Sequence, residues 1–261
     1  MVERAAGTGA GGRGRPYDAA VSSPPRPTLV LVHGAANTSG VWRFWRAALA
    51  ELGWASVAVD LRGHGSAPGD LAATSMRDYA DDVAAALRGA GERPVVVGWS
   101  MGGLAAMMAA ADEHASACVC LAPSMPARVR EMGPSVPLRR GVFGPEEYGI
   151  TGRDPADQPA MPDLDDDERV VALASLADDS RLARDERRAG VVVRSLPCPL
   201  LIVTGTADAQ WPRSSYDGLW LAGDHMEAEG ASHWGLVLNR RVLATLVPRI
   251  VSWVEKDGRT T

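Results

Sequence analysis

The chain has little cysteine. Its 261 residues include Cys118, Cys120 and Cys198, an odd number without the paired spacing of a four-ligand zinc site. That argues against both a disulfide framework and a structural zinc. Cys118 and Cys120 stand two apart in an apolar run, so on a strand they point the same way. All three read as core thiols, a usage that suits a reducing cytoplasm. Positive charge is not in excess either. The formal net charge is −5, which argues against a general nucleic-acid binder, because phosphates need a basic face. No apolar run approaches the ~20 residues of a membrane span. The opening stretch MVERAAGTGAGGRGRPYDAAVSSPPRP lacks the apolar centre of a secretory signal. It buries too little apolar surface to offset its ordering entropy, so residues 1–27 are expected to be a flexible tail. There is no internal repeat and no GxxxxGK[ST] phosphate loop.

What is present is an α/β rhythm. With 46% hydrophobic residues, the chain can build one large, well-buried domain. TLVLVH (28–33), ASVAVD (55–60), PVVVGW (94–99) and ACVCLAP (117–123) read as strands, and PLLIVTG (199–205) and HMEAEG (225–230) follow later. The early strands are apolar almost throughout rather than alternating, which marks a parallel sheet covered on both faces. Between them, VWRFWRAALAELG (41–53), SMRDYADDVAAALRGAG (75–91) and MGGLAAMMAAADEH (101–114) have helical spacing, the second with Ser75 or Thr74 as cap. A closing amphipathic helix spans 240–256, with Pro248 as a candidate kink. The expected fold is a doubly wound, mostly parallel sheet of about six to eight strands with helices on both faces. From Ser124 to Leu196 the rhythm breaks into proline-rich, charged text ending in one or two helices. This insertion follows the fourth strand at its carboxyl end, the edge where open α/β sheets bind ligands. Residues 124–196 are therefore expected to be a cap, and 28–123 with 197–261 the core. The DLDDDE run reads as a solvated helix start.

The chemistry starts at Gly98-Trp99-Ser100-Met101-Gly102. Alone, G-x-S-x-G is a weak signal, with roughly 0.1 chance matches expected in a chain this long. Here it follows a buried strand and opens a helix, the context of a nucleophile elbow. A serine hydroxyl needs a base to take its proton, and the base needs a carboxylate to orient it. His33 and His64 each precede a glycine, where turn geometry accounts for them. His114 ends a helix, and His225 begins the last strand. His233, in EGASHWG, lies just beyond that strand, at the edge that carries Ser100. Asp208, just past the strand LLIVTG, is the candidate carboxylate, with a plain Asx turn as its other explanation. Asp224 is nearer His233 in sequence, but it precedes the last strand.

The ordered segments LVHG, DLRGHGS, GWSMGG, GTADAQWP and GASHWG resemble the α/β-hydrolase superfamily, from about residue 28 to 254 without the middle section. The resemblance implies Ser100 as nucleophile, His233 as base, Asp208 as its partner, and an oxyanion hole from the backbone N–H groups of Met101 and Ala35. Each such donor contributes roughly 3–4 kcal/mol. It implies a structural role for the RGHGS segment with His64, and it calls for no metal or organic cofactor. Serine at the nucleophile position argues against the haloalkane dehalogenases and soluble epoxide hydrolases, which use aspartate there. The family commonly begins with two extra strands before LVHG. The Gly/Pro-rich start suits neither, which favours six strands.

Five tryptophans, Trp42, Trp45, Trp99, Trp211 and Trp234, lie within a few residues of an expected site loop. Trp42, Trp99, Trp211 and Trp234 are the candidates for the pocket wall, while Trp54 and Trp253 read as core. The implied function is a cytoplasmic serine hydrolase acting on a small hydrophobic acyl substrate: a carboxylic ester, a lactone or a thioester. Carbon–carbon bond hydrolysis, acyl transfer or chain release with a carrier protein, and a slow-turnover ligand receptor are the alternatives on the same scaffold.

Overall fold

A computed structural model of the protein describes residues 26–113, 115–129 and 136–257. The expected tail thus lies outside the described residues as far as residue 25, and so does His114. The chain runs β1 (Leu29–Val32), α1 (Arg43–Glu51), β2 (Ser56–Val59), α2 (Met76–Gly89), β3 (Val95–Trp99), α3 (Met101–Asp112), β4 (Ala117–Leu121), β5 (Val142–Phe143), α4 (Asp166–Ala174), β6 (Asp179–Ser180), α5 (Arg181–Ala189), β7 (Leu200–Gly205), β8 (Asp224–Ala228), α6 (Gly235–Leu238) and α7 (Arg240–Asp257).

Six strands form one parallel sheet in the order β2-β1-β3-β4-β7-β8. Among the described residues this is the lower end of the expected range. The central strands are apolar on both sides because both sides are covered. Leu31, Val97, Val119, Leu201 and Val203 face a core shared with Trp42, Trp45, Leu236 and Leu246. Their neighbours Val30, Val96, Cys118, Cys120 and Ile202 face a second core with Met76, Tyr79, Leu104 and Met107. Each large apolar side chain so buried stabilises the fold by about 1.5–3 kcal/mol. The order of β1 and its two neighbours reverses the direction of winding, which opens a crevice at the carboxyl ends of β1 and β3.

Local signals explain the helices. Ser75, not Thr74, caps α2 and forms a reciprocal capping box with Asp78. Asp165 does the same for α4 with Glu168, so the acidic run sits at the positive end of a helix dipole. The helix α7 continues through Pro248. The charged text before β7 forms two helices, α4 and α5, separated by a stretch in which β6 pairs antiparallel with β5 and Leu176 bridges to Asn37. No helix among the described residues is long and apolar enough to cross a membrane.

Two core expectations need correction. Trp54 is buried, but Trp253 is half-buried, because its indole N–H reaches outward to Asp224 Oδ2 at 2.7 Å. Cys118 and Cys120 are buried side by side, Sγ to Sγ 3.6 Å, whereas Cys198 precedes β7 and is only half-buried.

Candidate active site

Ser100 joins β3 to α3 in a backbone conformation that side chains rarely adopt, φ 54 and ψ −119. Such a residue carries about 1–3 kcal/mol of strain, and its surroundings hold it there. Its N–H donates to Leu121 O at 2.9 Å, and its carbonyl accepts from Gly103 N and Ser124 N, both at 3.0 Å. The flanking glycines are sterically required. A Cβ on Gly98 would collide with the Gly102 carbonyl, one on Gly102 with the carbonyls of Val32 and His33, and one on Gly103 with the Pro123 ring. The turn therefore packs its own backbone against the ends of β1 and β4. Met101 is the first residue of α3, whose free N–H groups point back along the helix axis toward the serine.

Asp208 follows β7 and is 4% exposed. Its Oδ1 accepts from the backbone N–H groups of Gln210 (2.9 Å) and Trp211 (3.0 Å), while Oδ2 stands 2.8 Å from His233 Nδ1. The Asx turn and the histidine partner are thus one carboxylate used twice. Burial pushes this carboxyl up. The bond from His233 and the two backbone donors outweigh burial and hold it below the usual carboxylate range. With Nδ1 donating to Asp208, Nε2 of His233 is left as an acceptor. The histidine backbone is fixed as well: Trp99 Nε1 donates to His233 O at 3.1 Å, and the two rings lie 5.2 Å apart. One residue earlier, Ser232 N donates to Asp163 Oδ2 at 3.0 Å, and the Ser232 hydroxyl bonds the other carboxylate oxygen.

The loop after β1 closes over Ser100 so tightly that a Cβ on Gly34 would sit 3.2 Å from Ser100 Cβ. His33 shapes this loop. Its Nε2 accepts from Leu61 N at 3.2 Å, which leaves the proton on Nδ1 to donate to Gly34 O at 2.8 Å. In a trans peptide the N–H points opposite to the carbonyl, so the Ala35 N–H faces away from His33. Burial, helped by the neighbouring His64, lowers the His33 pKa to about 4, so the ring stays neutral. His33 and His64 are therefore more than turn residues: both are buried, with rings 4.9 Å apart.

Ser100, Asp208, His233, Ala35, Trp99 and Trp234 line one cavity of about 290 Å³. Two of the four proposed wall tryptophans do not. Trp42 is wholly inside the core, and Trp211 packs against both cores. Neither lines the cavity: Trp42 closes the short helical turn before α1 and, like Trp211 after the Asp208 turn, packs against the core instead. Trp45, also core, donates to Leu236 O at 3.0 Å. Asp224 is exposed and accepts from Trp253, so it plays no part here. His225, on β8, packs on Tyr216, and burial together with Arg213 lowers its pKa to about 4. The wall residues missed from sequence come from the segment between β4 and β7: Tyr148, Ile150, Pro159, Ala160, Pro162 and Leu176. Their proline richness marked an irregular segment but not which of its residues face inward. No group of three or more His, Cys, Asp or Glu among the described residues is placed to hold a metal.

Comparisons with known proteins agree with this architecture. The chain resembles a methylesterase from Arabidopsis over 87% of its length and 100% of that structure, with a TM-score of 0.65 at 18% identity. Polyneuridine aldehyde esterase matches over the same shares, with a TM-score of 0.66 at 17% identity. Identities this low establish the fold alone. A curated relative, 2-succinyl-6-hydroxy-2,4-cyclohexadiene-1-carboxylate synthase of Serratia proteamaculans (strain 568), is 37% identical over 83 residues. That match spans only 31% of this chain and 31% of the relative. The model of the alpha/beta hydrolase family matches residues 29–245, a span that takes in the elbow, the Asp208 turn and the His233 loop. The chain belongs to the alpha/beta hydrolase family of enzymes.

Proposed function

We propose that the protein is a serine hydrolase that opens a carboxylic ester, lactone or thioester through an acyl-enzyme. The observation that carries this is the Asp208–His233 hydrogen bond of 2.8 Å in the same cavity as the strained Ser100. Ser100 Oγ attacks the carbonyl carbon while His233 Nε2 takes its proton. Asp208 keeps the imidazole in the required tautomer and stabilises the cation that forms. The N–H groups of Met101 and Ala35 receive the charge that develops on the carbonyl oxygen. His233 then returns the proton to the leaving oxygen or sulfur. Water, deprotonated by His233, attacks the acyl-enzyme, and His233 passes that proton to Ser100 Oγ as the acid leaves. No step draws on a cofactor.

Residues 124–196 act in this scheme as a cap that supplies one wall of the pocket. The cavity lining is largely apolar and, among the described residues, includes no Lys or Arg, which favours a small, uncharged acyl substrate. Two fold neighbours are esterases by name, in keeping with an ester. Intact-mass analysis after treatment with a fluorophosphonate tests the reading. One adduct is expected on the wild type and none on Ser100→Ala. An unlabelled wild type, or a labelled variant, overturns it.

A further inference from the structure

The loop that carries the Ala35 donor is held on one side by the core and on the other by the segment between β4 and β7. His33 fixes the peptide before Ala35 through Gly34 O. The peptide after it is fixed by Asp179, whose Oδ2 accepts from Ala36 N at 2.8 Å. The Ala36 carbonyl accepts from Ala177 N at 3.0 Å, and Thr38 N donates to Ser175 O at 2.8 Å. Ala36 itself has φ +55, a left-handed conformation that an alanine keeps only where its surroundings impose it. Asp179 is fully buried. Its Oδ1 accepts from Tyr79 Oη at 2.7 Å and from Ser180 N at 2.6 Å.

A buried carboxylate behind an oxyanion hole would repel the charge that forms there unless it were offset. His64 stands in the place to do so. Its Nδ1 donates to Arg62 O at 3.2 Å, and its buried Nε2, which has no hydrogen-bond partner, lies 3.6 Å from Asp179 Oδ1. His64 belongs to the RGHGS turn of the core, and Asp179 to the segment between β4 and β7.

We propose that Asp179 is a positioning residue for the reaction: it holds the Ala35–Ala36 peptide, with His64 packed beside its other oxygen, so that the segment between β4 and β7 completes the oxyanion hole begun by the sheet edge. This rests on the serine-hydrolase reading. The test compares p-nitrophenyl acetate turnover with inhibition by a phenyl trifluoromethyl ketone, which forms an oxyanion on Ser100. Asp179→Ala should lower kcat by about 100-fold, with KM within about threefold of wild type, and weaken the ketone by about the same factor as kcat/KM. Asp179→Asn keeps an oxygen for the Ala36 N–H and should return to within about tenfold of wild type. If Asp179→Ala does not fold, Tyr79→Phe decides. It releases one oxygen of Asp179 and should lower kcat and ketone affinity together by about threefold to tenfold. A variant that melts earlier but keeps wild-type kcat and ketone affinity reduces Asp179 to a structural residue and overturns the proposal. A wild type that neither turns over nor labels at Ser100 overturns the serine-hydrolase reading instead, and the proposal falls with it.

Discussion

The sheet edge and the segment between β4 and β7 contribute to the site in opposite ways. At the edge, each candidate group sits on a turn directly after a strand, and its position follows from backbone packing: Ser100 after β3, Asp208 after β7, His233 after β8. The segment between β4 and β7 adds nothing to the sheet. It reaches the same loops through carboxylates instead, Asp163 bonding Ser232 and Asp179 bonding Ala36. On the serine-hydrolase reading this is a division of labour, with the reacting groups on turns after strands, Ser100 on a strained one, and their alignment set by side chains from a distant stretch. If that is right, substitutions at the edge remove the chemistry, and substitutions in the segment only detune it.

The largest effects should therefore come from the edge. Ser100→Ala should abolish ester turnover, a loss of about 10⁶-fold in kcat, measured on an ester that the wild type hydrolyses. Asp208→Asn should cost about 10⁴-fold, because the amide disfavours the tautomer in which Nδ1 of His233 carries the proton. The same substitution has a second readout. The Asp208 carboxyl is held below the usual range in the folded protein, so its ionised form contributes stability above the unfolded-state pKa. That contribution is lost as pH falls through the lower folded-state value. Urea unfolding followed from neutral to acid pH should show wild-type stability declining through that window, and Asp208→Asn should decline less steeply. Equal slopes would mean that the hydrogen bond from His233 does not stabilise the fold.

Asp163→Ala is the intermediate case. It removes the acceptor of Ser232 N–H and the partner of its hydroxyl, loosening the residue before His233 without touching the imidazole. A loss of about tenfold to 100-fold in kcat is expected, since small misplacements of a catalytic group cost up to about 10². A loss as large as that of Asp208→Asn would break the division between the two regions.

The same division governs what the sequence reveals. β-branched runs, capping residues and glycine spacing are local, so the parallel sheet, the start of α2 at Thr74 or Ser75, the acidic start of α4 and the tight turn at Ser100 can be read directly from neighbouring residues. Asp208 and His233 are legible because each follows a strand that is itself legible. Closeness in sequence to a site loop does not say which way an indole turns: Trp42 lies inside the core, and Trp211 packs, partly buried, against both cores. In sequence His33 and His64 look like turn residues, because the buried pair they make depends on two loops meeting. Asp163 and Asp179 gave no signal. A carboxylate in a charged, proline-rich stretch resembles its solvated neighbours until the fold buries it against a backbone N–H far away in the chain.

The smallest effect tests whether the segment shapes specificity. Ile150 lines the cavity and is nearly buried, at 6% exposed, within the core cluster that also contains Trp99 and Trp234. Ile150→Ala removes three carbons from the wall. The space opened should admit a longer acyl chain, while the contacts of Ser100, Asp208 and His233 stay as they are. Burial of one further methylene in such a pocket is worth about 1–3 kcal/mol. The ratio of kcat/KM for p-nitrophenyl hexanoate over p-nitrophenyl acetate should therefore rise by about tenfold, with the acetate value itself little changed. The site could respond in another way. If acetate turnover falls while the ratio stays fixed, Ile150 supports the position of the reacting groups rather than the fit of the acyl chain. The segment would then be part of the catalytic alignment along its whole inner face, not only at its two carboxylates.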